Sequence, residues 1–120
     1  MAKDIDWGSL GFGYVQADYR YVSKYKDGKW DDGALVTDAN IVLNECACVF
    51  QYAQTCFEGL KAYRRPDGEV QLFRPWENIK RLNQSAERLS LPQVDEAFAL
   101  DALKKFVMDW DSENGWHDAR

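Results

Sequence analysis

The chain has three prolines, and together with a few glycines they constrain most of its second half. Pro66 opens the tripeptide Pro66-Asp67-Gly68. On either side lie Leu60-Lys61-Ala62-Tyr63-Arg64 and Val70-Gln71-Leu72-Phe73-Arg74. The proline ring presets φ for a turn and glycine admits positive φ, so these two runs are expected as the arms of a β-hairpin. Pro75 falls at the first position of a helix, where its missing N–H costs nothing. Behind it Trp76, Ile79, Leu82, Ala86 and Leu89 recur at helical spacing as one apolar stripe. Pro92 breaks the chain after Leu91. Asp95 then stands as the N-cap of a second helix, with the stripe Phe98, Ala102, Leu103, Phe106, Val107 and Trp110.

The first half is punctuated more loosely. Gly8, Gly11 and Gly13 make an irregular lead-in. Residues 14–26 are rich in tyrosine and valine, which favours strand. Asp27-Gly28 marks a hairpin turn, and Lys29-Trp30 begins the return. Residues 41–54 read as a short extended piece leading into a short helix. Strands come first and helices follow. The expected class is α+β, an antiparallel sheet with two or more helices packed on it. Residues 1–110 form the expected domain. Residues 111–120 are polar and aperiodic, a tail expected at a truncation point.

Composition narrows the function classes. A length of 120 residues suits one domain with a real core, and 46% hydrophobic residues is too many for disorder. The 15 basic residues are scattered and outnumbered by 20 acidic ones, giving a net charge of −5. That argues against a nucleic-acid binder, which needs clustered cations for phosphates. No run approaches the ~18 apolar residues of a membrane span. The start, Met-Ala-Lys-Asp-Ile-Asp-Trp, has no apolar signal core, so a cytoplasmic protein is expected. Cys46, Cys48 and Cys56 form an odd set whose spacing matches no common zinc pattern, and the one histidine is His117. They read as thiols of a reducing compartment, with no metal site.

One ordered series of motifs goes further. Gln51-Tyr52-Ala53-Gln54-Thr55-Cys56-Phe57-Glu58-Gly59-Leu60-Lys61-Ala62-Tyr63 is followed by Asp67-Gly68, Leu72-Phe73-Arg74-Pro75 and Asn78-Ile79-Lys80-Arg81-Leu82. Then come Ser85-Ala86-Glu87-Arg88-Leu89 and Leu91-Pro92. This series resembles the branched-chain amino-acid aminotransferases, fold-type IV enzymes that use pyridoxal 5′-phosphate (PLP). Phe12-Gly13 and Asp18 match an earlier family stretch in part. The resemblance covers roughly residues 10–110 and implies the N-terminal small domain of that fold. Gln51 stands where the family has histidine and Ala53 where it has glycine. Gln16, Ala17 and Tyr19 replace phenylalanine, threonine and histidine.

The resemblance implies roles residue by residue. Arg81 matches the arginine that reaches the PLP phosphate, a charge-assisted and potentially bidentate contact. Beside this stands a plainer reading, a surface pair with Glu77 four residues earlier. Phe57 matches a wall of the substrate's aliphatic side-chain pocket; a core phenylalanine is the alternative. Tyr52 matches a tyrosine that reaches the partner subunit's pocket in the family dimer, against a half-buried tyrosine otherwise. Phe12 matches another pocket residue. Gly59 permits a tight backbone turn. Glu58 is either a solvated carboxylate or the anchor of the loop that carries Phe57. Lys61 corresponds to a strand lysine near the cleft, not to the Schiff-base lysine. That lysine, the carboxylate facing the pyridine nitrogen and the rest of the phosphate cup lie, in the family, C-terminal of everything matched here.

The resemblance therefore implies part of a transaminase acting between leucine, isoleucine or valine and 2-oxoglutarate, in amino-acid metabolism. It implies PLP as cofactor, a homodimer, and no transaminase activity in this chain alone. Two alternatives stay open. One is a relative of the D-amino-acid aminotransferases or aminodeoxychorismate lyases. The other is a non-catalytic binding or dimerisation module.

Overall fold

A computed structural model describes residues 6–114. His117 and the rest of residues 115–120 lie outside the described residues, as does the side chain of Trp110. After a 3₁₀ turn at Trp7–Ser9, the strands β1 (Arg20–Val22), β2 (Tyr25–Lys26), β3 (Lys29–Trp30) and β4 (Ala34–Val36) follow in close succession. Helix α1 (Cys48–Tyr52) precedes β5 (Ala62–Arg64) and β6 (Val70–Leu72). Two longer helices end the described chain, α2 (Pro75–Arg88) and α3 (Glu96–Asn114).

The class is α+β. The strands form three two-stranded antiparallel ribbons, β1–β4, β2–β3 and β5–β6, in place of one continuous sheet. The first two are nested: β2–β3 is the tip of the hairpin whose base is β1–β4. Asp27 and Gly28 both have positive φ, 52° and 81°, the geometry of the tight hairpin turn that Asp-Gly favours. The Tyr25 and Trp30 rings meet edge to face across that tip, 5.2 Å apart. Asp31 bridges the break between the ribbons, its Oδ1 accepting from the backbone N–H of Lys24 and of Gly33 at 3.0 Å each. Gly33 has φ +67°, and a Cβ there would collide with the Tyr21 ring, whose hydroxyl donates to the Asp32 carbonyl at 2.6 Å.

Strand occupies less of residues 14–26 than their composition suggests. The ladder stops at the Arg20–Val36 pair. Beyond Val36 the chain folds back at Asp38, whose carboxylate accepts from Asn40 N–H at 2.9 Å. The Arg20 guanidinium ties off this bend by donating to the carbonyls of Asp38 and Asn40, each at 2.5 Å. β-Propensity acts only where a partner strand continues.

The second half follows its punctuation. Arg65 N–H donates to Glu69 and Gly68 N–H to Arg65, closing the Pro66-Asp67-Gly68 turn. Helix α2 starts at Pro75, and α3 is capped by Asp95, whose carboxylate accepts from Phe98 N–H at 2.8 Å. The linker between them is held from two sides. Asn83 exchanges two hydrogen bonds with the Val94 backbone (2.8 and 2.9 Å), and Trp30 Nε1 donates to the Gln93 carbonyl at 2.9 Å. Helix α2 packs on α3, and α3 on β1. Helix α3 extends to Asn114, past the last apolar residue of its stripe, so residues 111–114 of the polar tail are helical.

The expected core is thin. Among the described residues only Pro75, Ile79 and Ala86 are buried, all on α2. The accessible surface is 9867 Å², against about 6,700 Å² for a compact monomer of this mass. Length alone allows a core but does not supply the opposing layer. Ile41, Val42, Phe50, Phe57 and Phe73 all face solvent.

Candidate functional site

Between α1 and β5 the chain runs without regular structure through residues 53–61, and Glu58 lies at its centre. Helix α2 passes alongside. Asn78 and Arg81 are three residues apart on α2 and therefore share a face. Both side chains reach Glu58. Arg81 Nε donates to Glu58 Oε2 at 2.6 Å, and Arg81 Nη2 donates to Oε1, a two-pronged ion pair. Asn78 Nδ2 donates to Glu58 Oε1 at 3.0 Å and to the Gly59 carbonyl at 2.9 Å. The backbone N–H of Gly59 also donates to Glu58 Oε1, at 3.0 Å. Only 12% of the Glu58 side chain is exposed, whereas 67% of the Arg81 side chain is.

Electrostatics follow from this geometry. The Arg81 hydrogen bonds, above all, lower the Glu58 carboxyl from 4.5 to about 2; desolvation opposes them, and Asn78 and the Gly59 N–H assist. The same carboxylate raises Arg81. Glu58 is thus an anchor and not a solvated carboxylate. The surface pair between Arg81 and Glu77 is not formed; Glu77 turns instead to Arg74, at 3.6 Å.

The residues singled out from the sequence divide into two groups. Glu58, Gly59 and Arg81 come together, with Asn78 as a fourth member. Asn78 was legible only as part of a matching string; its i,i+3 spacing from Arg81 is the signal that could have marked it. Phe12, Tyr52 and Phe57 are exposed, and so is Lys61, which stands just before β5. Phe57 is 91% exposed, so it is not a core residue, and Tyr52, at 81%, is not half-buried.

A guanidinium carries five N–H donors. Glu58 takes one on Nε and one on Nη2, which leaves the outer Nη1/Nη2 edge on an exposed side chain. That edge matches two oxygens of a phosphate. The arginine therefore fits one phosphate contact. Among the described residues no cluster of His, Cys, Asp and Glu could hold a metal ion. Cys46, Cys48 and Cys56 are free. No described helix is long and apolar enough to cross a membrane.

No protein-family model matches the chain. Curated proteins do. A branched-chain-amino-acid aminotransferase of Haemophilus influenzae is 46% identical over 111 residues, 90% of this chain. One of Helicobacter pylori is 46% identical over 105 residues, and branched-chain-amino-acid transaminase 1 of Bacillus subtilis 48% over 109. The chain is homologous to part of a branched-chain-amino-acid aminotransferase. It spans about a third of the length of these relatives: 32%, 31% and 31%. The aminotransferase relationship accounts for the long run of motifs from Tyr52 to Pro92, and it places the Glu58–Arg81 pair inside the matched region.

Proposed function

We propose that the chain is the N-terminal small domain of a PLP-dependent branched-chain-amino-acid transaminase. The whole protein would move an amino group between leucine, isoleucine or valine and 2-oxoglutarate. The observation that carries this reading is the 46–48% identity to curated aminotransferases over about nine tenths of the chain. The exposed guanidinium edge of Arg81 supports it.

Bound PLP would supply an aldehyde that takes up the amino group and a ring that withdraws electrons from the substrate's α-carbon. This chain's residues would do the rest of their work by binding. Arg81 would hold the phosphate through its outer edge. Phe57, with Tyr52 and Phe12, would present an aromatic wall to an aliphatic side chain, where selection rests on buried area and shape. All three stand exposed, as surfaces completed by other parts of the protein would be. Lys61 would stay a solvated cation at the rim, and the Schiff-base lysine would come from outside this chain. The open apolar surface suits a homodimer.

The test compares the isolated chain with the full-length protein, each given leucine, 2-oxoglutarate and PLP. Glutamate from the full-length protein alone is the expected result. Glutamate from the isolated chain would overturn its incompleteness. Activity of the full-length protein on D-alanine and not on leucine would move it to the D-amino-acid branch.

A further inference from the structure

We infer that Glu58 is a positioning residue: it grips Arg81 by the Nε/Nη2 edge so that the opposite Nη1/Nη2 edge meets the PLP phosphate in one fixed plane. The inference rests on Arg81 being the phosphate ligand, as proposed above.

Three features carry it. First, the grip is two-pronged, so it sets the plane of the guanidinium as well as its position. Second, the Glu58 carboxylate is itself immobilised. Its Oε1 accepts from Asn78 and from the Gly59 N–H, and Asn78 in turn donates to the Gly59 carbonyl, tying the 58–59 backbone to α2. Third, burial is graded. The carboxylate end is nearly covered and the guanidinium end is open. A pair serving only to dock the loop on α2 would not need the arginine's outer donors to face solvent.

The arrangement has a chemical consequence. The Arg81–Glu58 pair is formally neutral, so phosphate would be recognised by directed hydrogen bonds more than by long-range attraction. A long side chain held in place beforehand loses little rotamer freedom when the anion arrives. Glu58→Gln keeps the shape but replaces one acceptor oxygen with an NH₂ that faces the guanidinium.

The experiment measures dissociation constants of PLP and of pyridoxal, which lacks the phosphate, for the full-length protein and its variants. Glu58→Gln is expected to weaken PLP about tenfold, the loss of one charge-assisted orientation, and Arg81→Ala by more. Pyridoxal binding should stay unchanged in both. If Arg81→Ala weakens PLP while Glu58→Gln does not, the positioning role fails and the phosphate reading stands. If Arg81→Ala leaves PLP binding unchanged, the phosphate reading itself fails, and this inference with it. An equal loss of PLP and pyridoxal in Glu58→Gln would mark a merely structural residue and overturn the inference. Should Glu58→Gln not fold, Asn78→Ser removes only the brace. It should then weaken PLP about threefold with pyridoxal unaffected, and no change in PLP would count against the role.

Discussion

Ile79 offers the sharpest test of how this chain holds together. It is 6% exposed, on the inner face of α2, in a chain whose other buried described residues are Pro75 and Ala86. Replacing it with alanine removes three carbons. At about 0.8 kcal/mol each, the transfer loss is about 2.4 kcal/mol. A rigid core would add a cavity term, but only Pro75 and Ala86 are buried beside it among the described residues, so the site can collapse or admit water. The expected cost is therefore about 2–3 kcal/mol, in the lower part of the usual range for such truncations. A 120-residue domain is stable by about 6–18 kcal/mol. With 9867 Å² of accessible surface, this chain should lie at the bottom of that range or below it. Urea unfolding followed by far-UV circular dichroism reads the effect directly, as a fall of about 1–2 M in midpoint. Val42→Ala is the control, because Val42 is 94% exposed; its change should stay within about 0.5 kcal/mol. If Ile79→Ala costs no more than Val42→Ala, α2 does not carry the core.

Three further outcomes are expected. The Glu58 carboxyl is lowered by Arg81 to about 2, so the ion pair contributes stability above the ordinary value of 4.5 and loses it as pH falls through about 2; a carboxyl ¹³C titration with a midpoint near 4.5 would refute the clamp. Ala53 ends α1 with φ 49° and ψ 34°, a left-handed conformation costly for any residue with a Cβ. Ala53→Gly should therefore stabilise the chain by about 0.5–1 kcal/mol in thermal unfolding, and destabilisation would contradict the helix end seen here. The isolated chain should self-associate, since Phe12, Ile41, Val42, Phe50, Phe57 and Phe73 all stand exposed; a clean monomer at high concentration in sedimentation would count against an interface role for the open apolar face.

Much of the fold is legible in local chemistry. The turns at Asp27-Gly28 and Pro66-Asp67-Gly68, the start of α2 at Pro75 and the Asp95 cap of α3 all form where their residues indicate. Each depends on the φ preference or hydrogen bond of a residue within about four positions, so the sequence contains the whole cause. The α+β order of elements follows from the same signals. That Phe57, Glu58, Gly59 and Arg81 belong near one site is what the family resemblance implies, and no local signal in the residues states it.

What pairs with what belongs to the tertiary structure. Arg81 had a carboxylate four residues away in Glu77, yet it binds Glu58, 23 residues away. The choice turns on where residues 53–61 cross α2, and no local rule states that. The division of the strands is likewise a matter of contacts along the hairpin: Asp31 separates its tip from its base, and the bend at Asp38 ends the ladder of the base. Periodicity marks which helical faces want burial, but it cannot say what will cover them. In this chain little does. Helix α2 has α3 as a neighbour, while Phe12, Tyr52 and Phe57 stay open to solvent. The sequence by itself determined the turns, the helix starts and the aminotransferase motifs. Only the folded chain decided that Glu58 holds Arg81 and that the aromatic residues remain uncovered, because both depend on the meeting of segments far apart along the backbone.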